Sequence, residues 1–104
     1  DIHGMAHITG GGFKENIVRI LPENINAEID LNAWQQPEVF NWIQTVGNVD
    51  HEEMLRTFNC GIGYVLVVNN SDSKRVINKL AETGHNAFLI GEITTGKKEV
   101  RLNL

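Results

Sequence analysis

Cysteine is nearly absent from this sequence: Cys60 stands alone among 104 residues. A single thiol excludes an internal disulfide and a multi-cysteine metal centre, and such usage predicts a reducing compartment, the cytoplasm. Basic residues are also few, nine against thirteen acidic ones for a net charge of −4. That balance excludes a nucleic-acid or membrane-surface partner recognised through bulk charge, because both need a basic face. Long apolar runs are missing as well. The longest, residues 65–68, is far too short to span a bilayer, and no charged-then-apolar leader opens the chain. Proline occurs only twice, so most punctuation falls to the ten glycines.

What is present suffices for one folded unit. With 41% hydrophobic residues over 104 positions the chain can bury a core, near the small end of independent stability. It opens on Asp1-Ile2-His3 and not on methionine, which we read as a processed start or a piece of a longer chain. Residues 5–9 predict a strand running into Gly10, Gly11 and Gly12. Phe13, Ile17, Ile20 and Leu21 then fall on one helical stripe that Pro22 ends. Residues 27–31 alternate apolar and acidic, as a half-buried strand does. Pro37 opens a second helix to about Thr45, with Val39, Phe40, Trp42 and Ile43 as a broad apolar face and Gly47-Asn48 as its close. Asp50 and Glu53 have the spacing of a capping box for a third helix, whose inner face is Met54, Leu55 and Phe58.

Residues 62–68, "IGYVLVV", are apolar at odd and even positions, which predicts a central strand covered on both faces. A helix is expected over residues 73–82, with Val76, Ile77 and Leu80 inward and Gly84 as its cap. Residues 87–93 and 100–104, separated by Thr94-Thr95-Gly96-Lys97-Lys98, read as strand, turn and edge strand. Five strands interleaved with four helices predict an α/β fold with helices on the faces of a mixed sheet.

Three consecutive glycines exceed what a bare turn requires, since one residue without a Cβ already reaches positive φ and each further one adds an entropic cost. Strand, glycine loop and helix is an arrangement in which main-chain amides converge on an anion, although "GGGFK" has neither the Walker nor the GxGxxG spacing. Equally, such a loop can simply let strand and helix pack closely. Asn16 and Arg19, three apart, lie where an amide and a guanidinium can reach one ligand. Gly61 and Gly63 form a second glycine pair before the apolar strand, clearing its start for a ligand or another backbone. His3 and His7 lack the glutamate and third ligand of a helical zinc motif, so no metal site is expected. His7 reads as a hydrogen-bond donor beside the loop, His51 as an exposed first helical residue, His85 as a turn residue and Cys60 as a buried structural thiol.

Three blocks carry a more specific signal: "GMAHITGGGFKENIVRILP", "EVFNWIQTVGNV" and "EMLRTFNCGIG". In this order and spacing they resemble the C-terminal part of the phosphoribosylformylglycinamidine cyclo-ligase (aminoimidazole ribonucleotide synthetase) family of purine biosynthesis. The resemblance implies a three-layer α/β/α fold with a mixed sheet, here a single partial domain over residues 1–104 truncated at its N-terminal side. It implies ATP-dependent closure of formylglycinamidine ribonucleotide to aminoimidazole ribonucleotide, with ADP and phosphate released. Carried over by motif, the ligand-side residues are His7, Thr9, Gly10, Gly11, Gly12, Asn16, Arg19, Asn59, Gly61 and Gly63. The implied partners are substrate, ATP with Mg²⁺, and the N-terminal domain of the same protein, which carries the acidic metal ligands and forms a homodimer. About the first two thirds of a family member is absent from this sequence, so the chain alone is expected to be inactive. An exposed sheet edge or apolar helix face, covered by that segment or by another copy, is expected too. Two other readings are a non-catalytic ligand-binding or interaction module, and a domain of a relative such as formylglycinamidine ribonucleotide synthetase, selenophosphate synthetase or a thiamine phosphate kinase.

Overall fold

The structure is a computed structural model that describes residues 2–103. Its elements are β1 (Ile2–His7), α1 (Gly12–Val18), β2 (Ile25–Asp30), α2 (Glu38–Gly47), α3 (His51–Thr57), β3 (Tyr64–Val68), α4 (Ser73–Glu82), β4 (Gly91–Thr95) and β5 (Val100–Asn103). A 3-10 turn, Asn70–Asp72, leads into α4. The interleaving makes an α/β fold, as expected. β1 pairs antiparallel with β3, while β2 lies between β4, antiparallel, and β5, parallel. The mixed sheet of the sequence reading is this second one.

The core joins the two sheets through α1. Phe13 and Ile17 of that helix are fully buried with Met54 of α3 and Cys60, and Ala6, Val65, Ala27, Ile29 and Val100 bring in the strands. Of the predicted stripe, Phe13, Ile17 and Leu21 are buried and Ile20 is half-buried, but the helix ends at Val18 and not at Pro22, so Ile20 and Leu21 pack from the turn that follows it. Each such burial contributes about 1.5–3 kcal/mol. That stabilises a seven-residue helix too short to stand alone. The Phe13 and Trp34 rings, 5.6 Å apart, extend the core toward residues 34–37.

Several local signals are realised in detail. Asn48 closes α2 in the left-handed region at φ 51°. At the end of α4, Gly84 has φ 86°, its amide donates to the Ala81 carbonyl and that of His85 to the Leu80 carbonyl, the two bonds of a Schellman cap.

Other expectations are corrected. The strand read as central over residues 62–68 is β3, paired only with β1; among the described residues no strand joins its other edge. Its apolar residues instead line a groove of about 1080 Å³ shared with β2, β4 and α4. Val76, Ile77 and Leu80 of α4 are half-buried there and not enclosed. An unbroken apolar run reports burial of side chains and says nothing about which edges are paired. The broad face of α2 divides: Phe40 packs on Phe58 at 6.0 Å, while Trp42 is 65% exposed. The capping box does not form, because Glu53 accepts from Arg56 and Thr57 and no side chain caps α3. The strand expected over residues 87–93 starts at Gly91, and β4 and β5 are not paired with each other, since β2 lies between them. The buried Asn26 of β2 holds that connection, its Oδ1 accepting from the amides of Lys97 at 2.8 Å and Glu99 at 3.0 Å. Leu104, placed at the end of the last strand, lies outside the described residues.

Candidate functional site

β1 and β3 bring the two glycine motifs side by side. The amide of Ile8 donates to the Gly63 carbonyl at 2.9 Å, so the loop leaving β1 and the loop entering β3 are hydrogen-bonded neighbours. One residue further along the ladder His7 faces Tyr64, with ring centroids 5.7 Å apart and planes 21° apart.

In the first loop the three glycines are not equally constrained. Gly11 takes φ 101° and Gly12 takes φ 69°, both in the left-handed region. A Cβ on Gly12 would also collide with the backbone carbonyl of Leu55, so this glycine lets α1 lie directly against α3. Gly10 has neither constraint: it is exposed, with no atom within 4 Å of where its Cβ would be. The close-packing explanation therefore accounts for Gly12 and leaves Gly10 free for another role.

Asn16 holds this loop in shape. It is 5% exposed, and its Nδ2 donates to the Gly12 carbonyl at 2.8 Å and the Thr9 carbonyl at 3.3 Å. Its Oδ1 accepts from the Thr9 hydroxyl at 3.1 Å and, at 3.4 Å, from Arg19 Nη1. Spacing placed Asn16 and Arg19 where both could reach one ligand; here Arg19 reaches the Asn16 amide oxygen, and the amide itself is turned onto the loop. Asn16 is thus a positioning residue, while Arg19 is exposed beside it.

The second loop is built by local hydrogen bonds. Asn59 Oδ1 accepts from the Gly61 amide at 2.9 Å, and Trp34 Nε1 donates to the Cys60 carbonyl at 3.1 Å. Gly61 has φ 109°, and a Cβ there would run into the Pro37 ring. Gly63, like Gly10, is unobstructed, with only Asn59 Nδ2 at 3.9 Å. Trp34 and Pro37 were not foreseen as supports of this loop, because nothing in the spacing of residues 34 and 60 relates them. Tyr64 was also missed, though an aromatic directly after a glycine pair is a visible signal.

Burial raises the Cys60 thiol above its ordinary value, and its Sγ donates to the Met54 carbonyl at 3.6 Å. This is the inert structural thiol expected, since the thiolate is the reactive form. We expect no reaction with a thiol-specific disulfide reagent at pH 8 in the native chain and full reaction in denaturant; rapid native labelling would contradict the burial. Because the folded-state value is the higher one, the thiol's contribution to stability is complete below the ordinary thiol value and is lost as pH rises from there through the raised folded-state value.

His3 and His7 lie on a strand, His3 Nε2 is 2.9 Å from Asn69 Oδ1, and among the described residues no group of three or more His, Cys, Asp or Glu is placed to hold a metal ion. His51 is the exposed first residue of α3, and His85 follows the Gly84 turn. No described helix is long and apolar enough to cross a membrane.

The fold is thus an α/β domain in which two glycine loops are joined at one corner. The chain matches the family described as AIR synthase related protein, C-terminal domain, over residues 1–103, and it belongs to that family. Over 99 residues it is 52% identical to a phosphoribosylformylglycinamidine cyclo-ligase of Pseudothermotoga lettingae. That stretch covers 95% of this chain and 29% of the relative, so the chain spans less than a third of the relative's length.

Proposed function

We propose that this chain is the C-terminal part of an ATP-dependent cyclo-ligase that converts formylglycinamidine ribonucleotide to aminoimidazole ribonucleotide, and that its two glycine loops hold a phosphate-bearing ligand. The observation that supports this most is the Ile8–Gly63 hydrogen bond: it joins the two loops whose unobstructed glycines, Gly10 and Gly63, have no role in packing. Main chain without Cβ atoms lets a phosphate approach its amides, and Arg19 stands beside the first loop to offset the charge.

Ring closure joins an amidine nitrogen to the formyl carbon and expels the formyl oxygen, which ATP converts to a leaving group as phosphate. This chain's share is binding and orientation. Phosphoryl transfer of this kind draws on Mg²⁺, and the described residues offer no cluster that fits it. The reading therefore assigns the metal and the acidic part of the nucleotide site to an N-terminal domain of the same protein, which pairs as a cytoplasmic homodimer.

Gly10→Asp tests the loop without disturbing the fold, because the site is exposed and its φ is not in the left-handed region. Such surface changes alter stability by about 0.5 kcal/mol or less. We expect affinity for ribose 5-phosphate, titrated against the chain by NMR, to fall about tenfold or more, since like charges a few ångströms apart repel by about 1–4 kcal/mol. Unchanged affinity would make the loops purely structural.

A further inference from the structure

We propose that Tyr64 and His7 form a stacking shelf for the planar nitrogen heterocycle of the ligand whose phosphate the glycine loops hold. This rests on the phosphate-loop reading above and adds the element that reads the other end of the ligand.

The register makes the shelf. The Ile8–Gly63 hydrogen bond marks one cross-strand pair, so the adjacent pair, His7 and Tyr64, is of the non-hydrogen-bonded kind in which side chains approach most closely. Their rings are accordingly 5.7 Å apart and within 21° of parallel, an offset stack. Neither ring is enclosed: Tyr64 is 55% exposed and His7 is exposed, while Val65, the next residue of β3, is buried at 8%. The core therefore does not need the tyrosine ring, and the fold leaves an aromatic surface open.

The position gives that surface a ligand class. His7 lies two residues before Thr9 at the head of the first loop, and Tyr64 directly follows Gly63 of the second. A molecule with its phosphate at the loops and a flat ring on the same side meets the shelf at the corner where the loops join. A heterocycle on ribose 5-phosphate has that form, and aromatic side chains take any such ring by its π face without a fixed hydrogen-bond pattern. Tyr64 would then add affinity for the ring and none for the phosphate.

The test compares two probes on the same chain, ribose 5-phosphate and aminoimidazole ribonucleotide, by calorimetry and by NMR. We expect the ring-bearing probe to bind about two- to twelvefold tighter, the range of one aromatic stack, with its ring protons moved upfield. Tyr64→Leu, which keeps apolar bulk on the strand, should abolish that advantage and leave ribose 5-phosphate binding unchanged, while Tyr64→Phe should keep it. Equal affinity of the two probes for the unaltered chain, or an advantage that survives Tyr64→Leu, overturns the shelf and leaves the phosphate loops standing. Failure of both probes to bind overturns the phosphate reading and the shelf with it.

Discussion

Gly12→Val is expected to remove a large share of the domain's stability. At φ 69° a β-branched residue is strained, which costs about 1–3 kcal/mol. Its Cβ would collide with the Leu55 carbonyl, and relief requires α3 to move off α1, loosening the contact around Phe13, Met54 and Leu55. Overpacking of that kind adds about 1–3 kcal/mol. Against the total of about 5–15 kcal/mol typical of a domain this size, a loss of about 2–6 kcal/mol is a large share. Urea unfolding followed by tryptophan fluorescence should show a midpoint far below that of the unaltered chain. Gly10→Ala in the same loop should leave the midpoint almost unchanged, because nothing lies within 4 Å of the added methyl group. A Gly12→Val protein as stable as the original would mean that α1 and α3 are not in direct backbone contact.

Asn16→Ala should do the second largest damage, and of a different kind. The substitution leaves the Gly12 and Thr9 carbonyls without their side-chain donor and the Thr9 hydroxyl without its acceptor, in a site that is 5% exposed. Loss of a buried amide with several partners costs about 2–4 kcal/mol. The loop should also lose its shape, so amide exchange at residues 10–12 should accelerate by more than the global destabilisation explains. On the proposed phosphate-binding role of the loop, ribose 5-phosphate affinity should fall as well, although the Asn16 amide is turned onto the loop backbone. Asn16→Asp, which keeps the acceptors and turns a carboxylate toward two carbonyls, should be no better than alanine. If exchange in the loop stays at the original rate, Asn16 is not what orders it.

These two residues show how far the sequence could be read. The glycine triplet was legible as a loop with a surplus of glycine, and Asn16 and Arg19 as a pair on the following helix. What could not be read was that the glycines differ among themselves. Gly12 is set by the carbonyl of Leu55, forty-three residues away, and Gly10 by nothing nearby. The amide of Asn16 was equally ambiguous: helical spacing places it near Arg19, while burial against the loop decides which way it turns. The notion of Asp50 and Glu53 as a capping box failed for a related reason, since Glu53 had the alternative partners Arg56 and Thr57 on its own helix.

The sequence by itself determined the local elements, because their causes are local: the stripe of Phe13, Ile17 and Leu21, the left-handed close at Asn48, the Schellman cap at Gly84 and the lone inert thiol. It also carried the family, through blocks whose order and spacing survive without any structure. Only the tertiary structure decided which strands pair, that β2 separates β4 from β5, that among the described residues β3 pairs with β1 alone and lines an apolar groove, and that Ile8 and Gly63 bring two glycine loops to one corner with His7 and Tyr64 stacked beside them. Strand partners are chosen by contacts between residues tens of positions apart, and a hydrophobic pattern records that a side chain is buried without recording what buries it.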